Sequence, residues 1–186
     1  LRALGPITVV APCDAWETAE AVKWAAIHEG PVYLRLSRMK VPTLDLPNRS
    51  FTPGKAELQR AGRDVTIIAA GTMVHLAVEA ANMLASEDLS ARVLNMHTIS
   101  PLDIDAVAKA ASETGAIVTV EEALDRGGLG GAVAEYTSAT QPVPVERMGF
   151  PGFMPTGSIA SLFEEFDLTP RGIADAARVA IRRKGA

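Results

Sequence analysis

The chain has 186 residues, 48% of them apolar and 22% charged, and a net charge of −4. This is the composition of a soluble globular protein. Its mild, dispersed acidity excludes the clustered Lys and Arg that nucleic acid binding requires. No apolar run approaches the ~20 residues that span a bilayer. No basic-then-apolar signal segment opens the chain, and a lone cysteine, Cys13, cannot form an internal disulfide. A cytoplasmic, membrane-free α/β protein is therefore expected.

Residues 7–11 are a continuous apolar, β-branched run, the pattern of a strand buried on both faces of a parallel sheet. Such a strand needs sheet neighbours and covering helices, so it reads as an interior piece of a larger domain. Asp14 and Glu17 then suit a helix N-terminus, Asp14 as N-cap and Glu17 bonding back as in a capping box. Ala19, Val22, Ala25 and Ala26 supply an apolar face, and Gly30-Pro31 ends the helix. Residues 32–36 read as a second strand, completing a strand–helix–strand unit with a right-handed crossover. Between Met39 and Pro53 periodicity disappears; Pro42, Pro47 and Pro53, with Asn48, Arg49 and Ser50, mark a linker.

Alternation then resumes. Strands are expected at 65–70, 91–96, 116–120 and 143–148, and helices at 74–84, 104–111 and 130–138. Ser100-Pro-Leu-Asp103 resembles a helix start with Pro where a missing N–H costs nothing. Thr169-Pro170 opens a final amphipathic helix whose closing Arg182, Arg183 and Lys184 suit the negative end of its dipole. Three units follow: residues 1–38, the end of an incomplete domain; a linker at 39–56; and a complete domain at 57–186. The fold class is α/β, the last domain a three-layer α/β/α arrangement with a mostly parallel sheet.

Ala11-Pro-Cys-Asp14, Gly30-Pro-Val-Tyr-Leu-Arg-Leu-Ser-Arg38, Gly71-Thr-Met-Val74, Thr98-Ile-Ser-Pro-Leu-Asp103, Val120-Glu-Glu122 and Gly127-Gly-Leu-Gly-Gly131 occur in that order. The series resembles the C-terminal portion of transketolase-like thiamine diphosphate enzymes. Arg147-Met-Gly-Phe-Pro-Gly-Phe-Met-Pro-Thr-Gly-Ser158 and Leu162-Phe-Glu-Glu-Phe-Asp-Leu-Thr169 are similar to transketolase itself, especially its split, two-subunit form. Deoxyxylulose-5-phosphate synthase is the alternative, although it usually carries Arg-Gly-Asn where this chain has Ser37-Arg-Met-Lys40. A non-catalytic assembly domain is a further alternative.

The resemblance implies transfer of a two-carbon ketol unit between sugar phosphates, with thiamine diphosphate and Mg²⁺ as cofactors. The Glu that activates the cofactor lies upstream in relatives, and another domain, often another subunit, holds the diphosphate and its metal. No catalytic residue and no metal ligand is therefore expected in this chain, which alone should be inactive and bind no cofactor. Its implied partners are an N-terminal thiamine diphosphate-binding subunit or domain and a second copy of itself, paired through the C-terminal domain.

Arg38 is the foremost site candidate. It follows a parallel strand's C-terminal end, where open α/β sheets bind ligands, and a guanidinium grips phosphate with paired hydrogen bonds. The resemblance makes it the substrate-phosphate Arg. Arg35 alternates to the other face and is expected in a structural ion pair. Glu121 and Glu122 are candidates for a ligand or interface role, facing opposite ways from one strand. The glycines of 127–131 lack dinucleotide spacing and read as close helix–strand packing. Cys13, beside a helix N-terminus, should have a lowered thiol pKa yet serve as packing. His28, His75 and His97 show no metal-ligand spacing.

Overall fold

The computed structural model describes residues 1–44 and 49–184. Pro47 and Asn48 of the expected linker lie outside the described residues. The first unit holds strand β1 (Thr8–Val10), helix α1 (Ala15–Ala25) and strand β2 (Val32–Leu34). β1 and β2 are parallel, as a crossover through α1 requires. β1 also pairs antiparallel with a later strand, β6 (Thr98–Ser100), so the first sheet runs β2-β1-β6. That short strand, contributed by the second unit, joins the two.

The second unit is built on five strands: β3 (Glu57–Arg60), β4 (Val65–Ala69), β5 (Ala91–Asn95), β7 (Ile117–Leu124) and β8 (Val145–Phe150). Their order is β3-β5-β4-β7-β8. All neighbours are parallel except β3 against β5, which gives the mixed, mostly parallel sheet of the expected class. Every residue of β4 is buried, because helices cover both faces. Ile67 faces a core shared with α2 (Met73–Ala85) and α6 (Pro170–Lys184). Its neighbour Ile68 faces the opposite core, against α3 (Ile104–Lys109, continued by a wider turn to Thr114) and α4 (Leu129–Thr140). A short helix, α5 (Ile159–Glu165), precedes α6.

Two local expectations shift. Asp103, not Ser100, caps α3 by accepting from the Ala106 N–H at 3.2 Å, so Pro101 precedes the helix instead of occupying its first turn. β3 and β6 are additional strands of four and three residues, too short for a period to show in the sequence.

Candidate functional site

The loop after β1 and the loop after β2 open side by side at the C-terminal ends of two parallel strands. Between them lies a cleft of about 480 Å³ with Pro12, Asp14 and Thr18 on one wall and Ser37, Met39 and Lys40 on the other; Thr72, before α2, also lines it. Arg38 itself does not line the cleft; it is exposed, in sequence between the lining residues Ser37 and Met39, and no ion pair among the described residues engages it. Lys40 adds a second cation. Two cations at strand ends, one with a planar fork of donors, suit a ligand bearing a terminal anion.

The Asp14 carboxylate organises the opposite wall. Its Oδ1 accepts from the Glu17 N–H at 2.8 Å and so caps α1. Its Oδ2 accepts from the Leu44 N–H at 2.9 Å and from Arg49 Nη1 at 2.6 Å. Glu17 turns back as expected, one residue further than a capping box: its Oε2 accepts from the Cys13 N–H at 2.6 Å. Its Oε1 accepts from Asn95 Nδ2 at 2.7 Å, which ties α1 to the end of β5. Burial pushes the Glu17 carboxyl upward, against the hydrogen bonds from Cys13 and Asn95 and the nearby Arg49.

Arg49 is the residue that sequence reasoning passed over as linker. Its side chain is 6% exposed, with Asp14 at 2.6 Å, Glu57 at 3.4 Å and Glu17 at 3.8 Å. The guanidinium carbon lies 4.4 Å from the centre of the Trp16 ring, a cation–π distance. The available signal is faint: Arg49 is the sole cation between Lys40 and Lys55. Cys13 corrects an expectation. Its buried thiol is pushed upward, first by desolvation and then by Glu17 and Asp14, so the helix N-terminus does not make it a nucleophile.

The two glutamates part company. Glu121 is buried, and its Oε1 accepts from the Gly130 N–H at 2.9 Å at the start of α4. The place where a phosphate would meet that helix N-terminus is therefore filled by the chain's own carboxylate. The neighbouring glycines are spatial necessities: a Cβ on Gly128 would lie 2.1 Å from Glu121 Oε2, and one on Gly130 would lie 2.8 Å from Thr119 Oγ1. Desolvation raises the Glu121 carboxyl. Glu122 accepts from Thr72 Oγ1 at 2.7 Å. Arg35 reaches both its carbonyl oxygen and, at 3.9 Å, its carboxylate, forming an ion pair between the two units. The site does not bring Glu121 or Glu122 together with Arg38.

The histidines are also dispersed. His97 is buried, shares a 2.9 Å hydrogen bond with Thr98 and stacks on Phe51 at 4.6 Å. His28 lies 4.4 Å from Trp24, ring to ring, and burial lowers His75. Among the described residues, no group of three or more His, Cys, Asp or Glu could hold a metal ion. Among the described residues, no helix is long and apolar enough to cross a membrane.

A family profile described as "Transketolase, C-terminal domain" matches residues 54–173. The 6-deoxy-6-sulfo-D-fructose transketolase subunit SqwH of Clostridium sp. (strain MSTE9) is 43% identical over 99% of this chain and 58% of its own length. A 1-deoxy-D-xylulose-5-phosphate synthase of Symbiobacterium thermophilum is 40% identical over 98% of this chain and 29% of its own length. A solved split gene transketolase, an inactive β4 tetramer, superposes with a TM-score of 0.92 and 41% identity, over 98% of this chain and 60% of that one. The chain thus spans about half of the first relative and under a third of the second.

Proposed function

The chain belongs to the transketolase family, and on that premise we propose that it is the C-terminal part of a split transketolase. In this reading residues 1–38 end a pyrimidine-binding domain, 39–56 link, and 57–186 form the C-terminal domain that pairs two copies in a cytoplasmic enzyme. The complete assembly moves a two-carbon ketol unit from a ketose phosphate to an aldose in pentose phosphate chemistry. Thiamine diphosphate, which the family uses, supplies the carbanion chemistry. The diphosphate and its Mg²⁺ are assigned, by the resemblance, to an N-terminal partner. The isolated chain is accordingly inactive.

One observation carries the role of this segment. Arg38 is exposed between Ser37 and Met39, which line the strand-end cleft, and this placement supports a role in holding a substrate's terminal phosphate. The name of the first relative specifies a sulfonated sugar, also a terminal anion that a guanidinium can bind.

The test combines this chain with its N-terminal partner and thiamine diphosphate. Arg38→Ala should raise KM for fructose 6-phosphate by ten- to a hundredfold, roughly the loss of one charge-assisted hydrogen-bond pair. KM for unphosphorylated fructose should change little. Equal effects on both sugars contradict the assignment, and a product that forms only with pyruvate would transfer the chain to the synthase reading.

A further inference from the structure

The geometry points to Asp14 and Arg49 as a positioning pair that holds the Arg38 segment against the cleft, an inference that rests on the phosphate-binding reading of Arg38. Asp14 divides its two carboxylate oxygens between the two walls. Oδ1 fixes the first turn of α1, and Oδ2 takes the Leu44 N–H six residues beyond Arg38. Leu44 and Met39, on either side of that span, also pack on the main apolar core. Among the described residues, the segment bearing Arg38 is therefore tethered by two apolar side chains, by a longer bond from Arg49 to the Leu44 carbonyl at 3.5 Å and by the Asp14 Oδ2.

Arg49 keeps that oxygen in place. It donates to the same Oδ2 at 2.6 Å and is itself braced by Trp16 and Glu57. A bland reading makes Arg49 only the counter-ion of three acids, Asp14, Glu17 and Glu57. That account explains its charge but not the focus on Oδ2, the oxygen that also receives the Leu44 N–H. A guanidinium and a backbone N–H sharing one acceptor lock its orientation, and Arg38 inherits the precision.

Two substitutions separate positioning from folding. Asp14→Asn keeps an oxygen for the Glu17 N–H, since Asn is as good an N-cap as Asp. Its amide group, however, presents N–H to two other donors, Leu44 and Arg49, and releases the segment. Arg49→Met keeps much of the side-chain stem while removing the charge. In the assembly with the N-terminal partner and thiamine diphosphate, each should raise KM for fructose 6-phosphate about tenfold, with kcat and the KM for unphosphorylated fructose little changed. The double variant should be no worse than the poorer single one. Hydrogen exchange on the same assemblies should show the Leu44 amide losing protection while Glu17 and Thr18 keep theirs.

If Arg49→Met fails to fold, Asp14→Asn alone decides. Should Arg38→Ala raise the phosphate-specific KM while neither positioning variant does, the pair is overturned and the role of Arg38 stands. If Arg38→Ala shows no discrimination, the phosphate reading falls, and unchanged Leu44 protection in Asp14→Asn then removes the tether as well.

Discussion

His97 shows how one residue can tie stability to pH without touching the site. Burial first, and the charge of Arg49 second, push its imidazole down to about 4. An unfolded chain would titrate it near 6.5. Between those values the unfolded state binds a proton that the folded state refuses, so stability is present above about 6.5 and is lost as pH falls towards 4. By pH 5 the loss is about 2 kcal/mol. Glu17 and Glu121, whose carboxyls burial raises, act in the opposite direction. Comparing the parent with His97→Asn cancels their share. From pH 7.5 to pH 5 the urea midpoint should shift further downward in the parent than in the variant; identical pH slopes would show that His97 is not the group responsible.

At the element scale, α6 lies on α2 and β4 through small side chains. Ile173, Ala174, Ala177 and Ala180 are fully buried along one face, in the core they share with α2 and β4. Ala177 is fully buried in that core, so Ala177→Leu should cost about 1–3 kcal/mol by overpacking. In thermal unfolding that lowers Tm by roughly 2–12 °C for a domain of this size; an unchanged Tm would mean that the helix can slide to accommodate the extra carbons. This face was legible in advance because an apolar stripe at helical spacing states which side is buried. The buried strands 65–69 and 117–120 were legible for a related reason, as unbroken β-branched runs between turn residues. β6 was not: three residues carry no period, and pairing with β1 depends on a contact some ninety residues distant. The site divides along the same line. Arg38 follows a strand and could be placed by topology, whereas Arg49 follows nothing periodic and gains its meaning from three acids brought in by two other segments, the start of α1 and β3.

The molecule as a whole is two sheets of unequal security. In the second unit β4 has partners on both sides and helices on both faces. In the first, β1 has two partners but β2 has one, α1 leaves Val22 exposed, and the turn after it leaves Ile27 85% exposed. The ties between the units include the β1–β6 pairing, the Glu17–Asn95 hydrogen bond, the Arg35–Glu122 pair and the bidentate contact of Arg2 with Glu135. Local opening should therefore be graded rather than all-or-none. Amides of β4 and β7 should exchange slowest, those of β1 at an intermediate rate because β6 covers its second edge, and those of β2 and the end of α1 fastest. Adding the N-terminal partner should slow β2 and α1 most, since an unpaired strand edge and an exposed apolar helix face are what a completing domain would cover. Exchange equally slow throughout the isolated chain would mean that residues 1–38 need no further sheet neighbours. Protection on mixing that appeared only in 65–184 would move the partner's docking surface away from the first sheet.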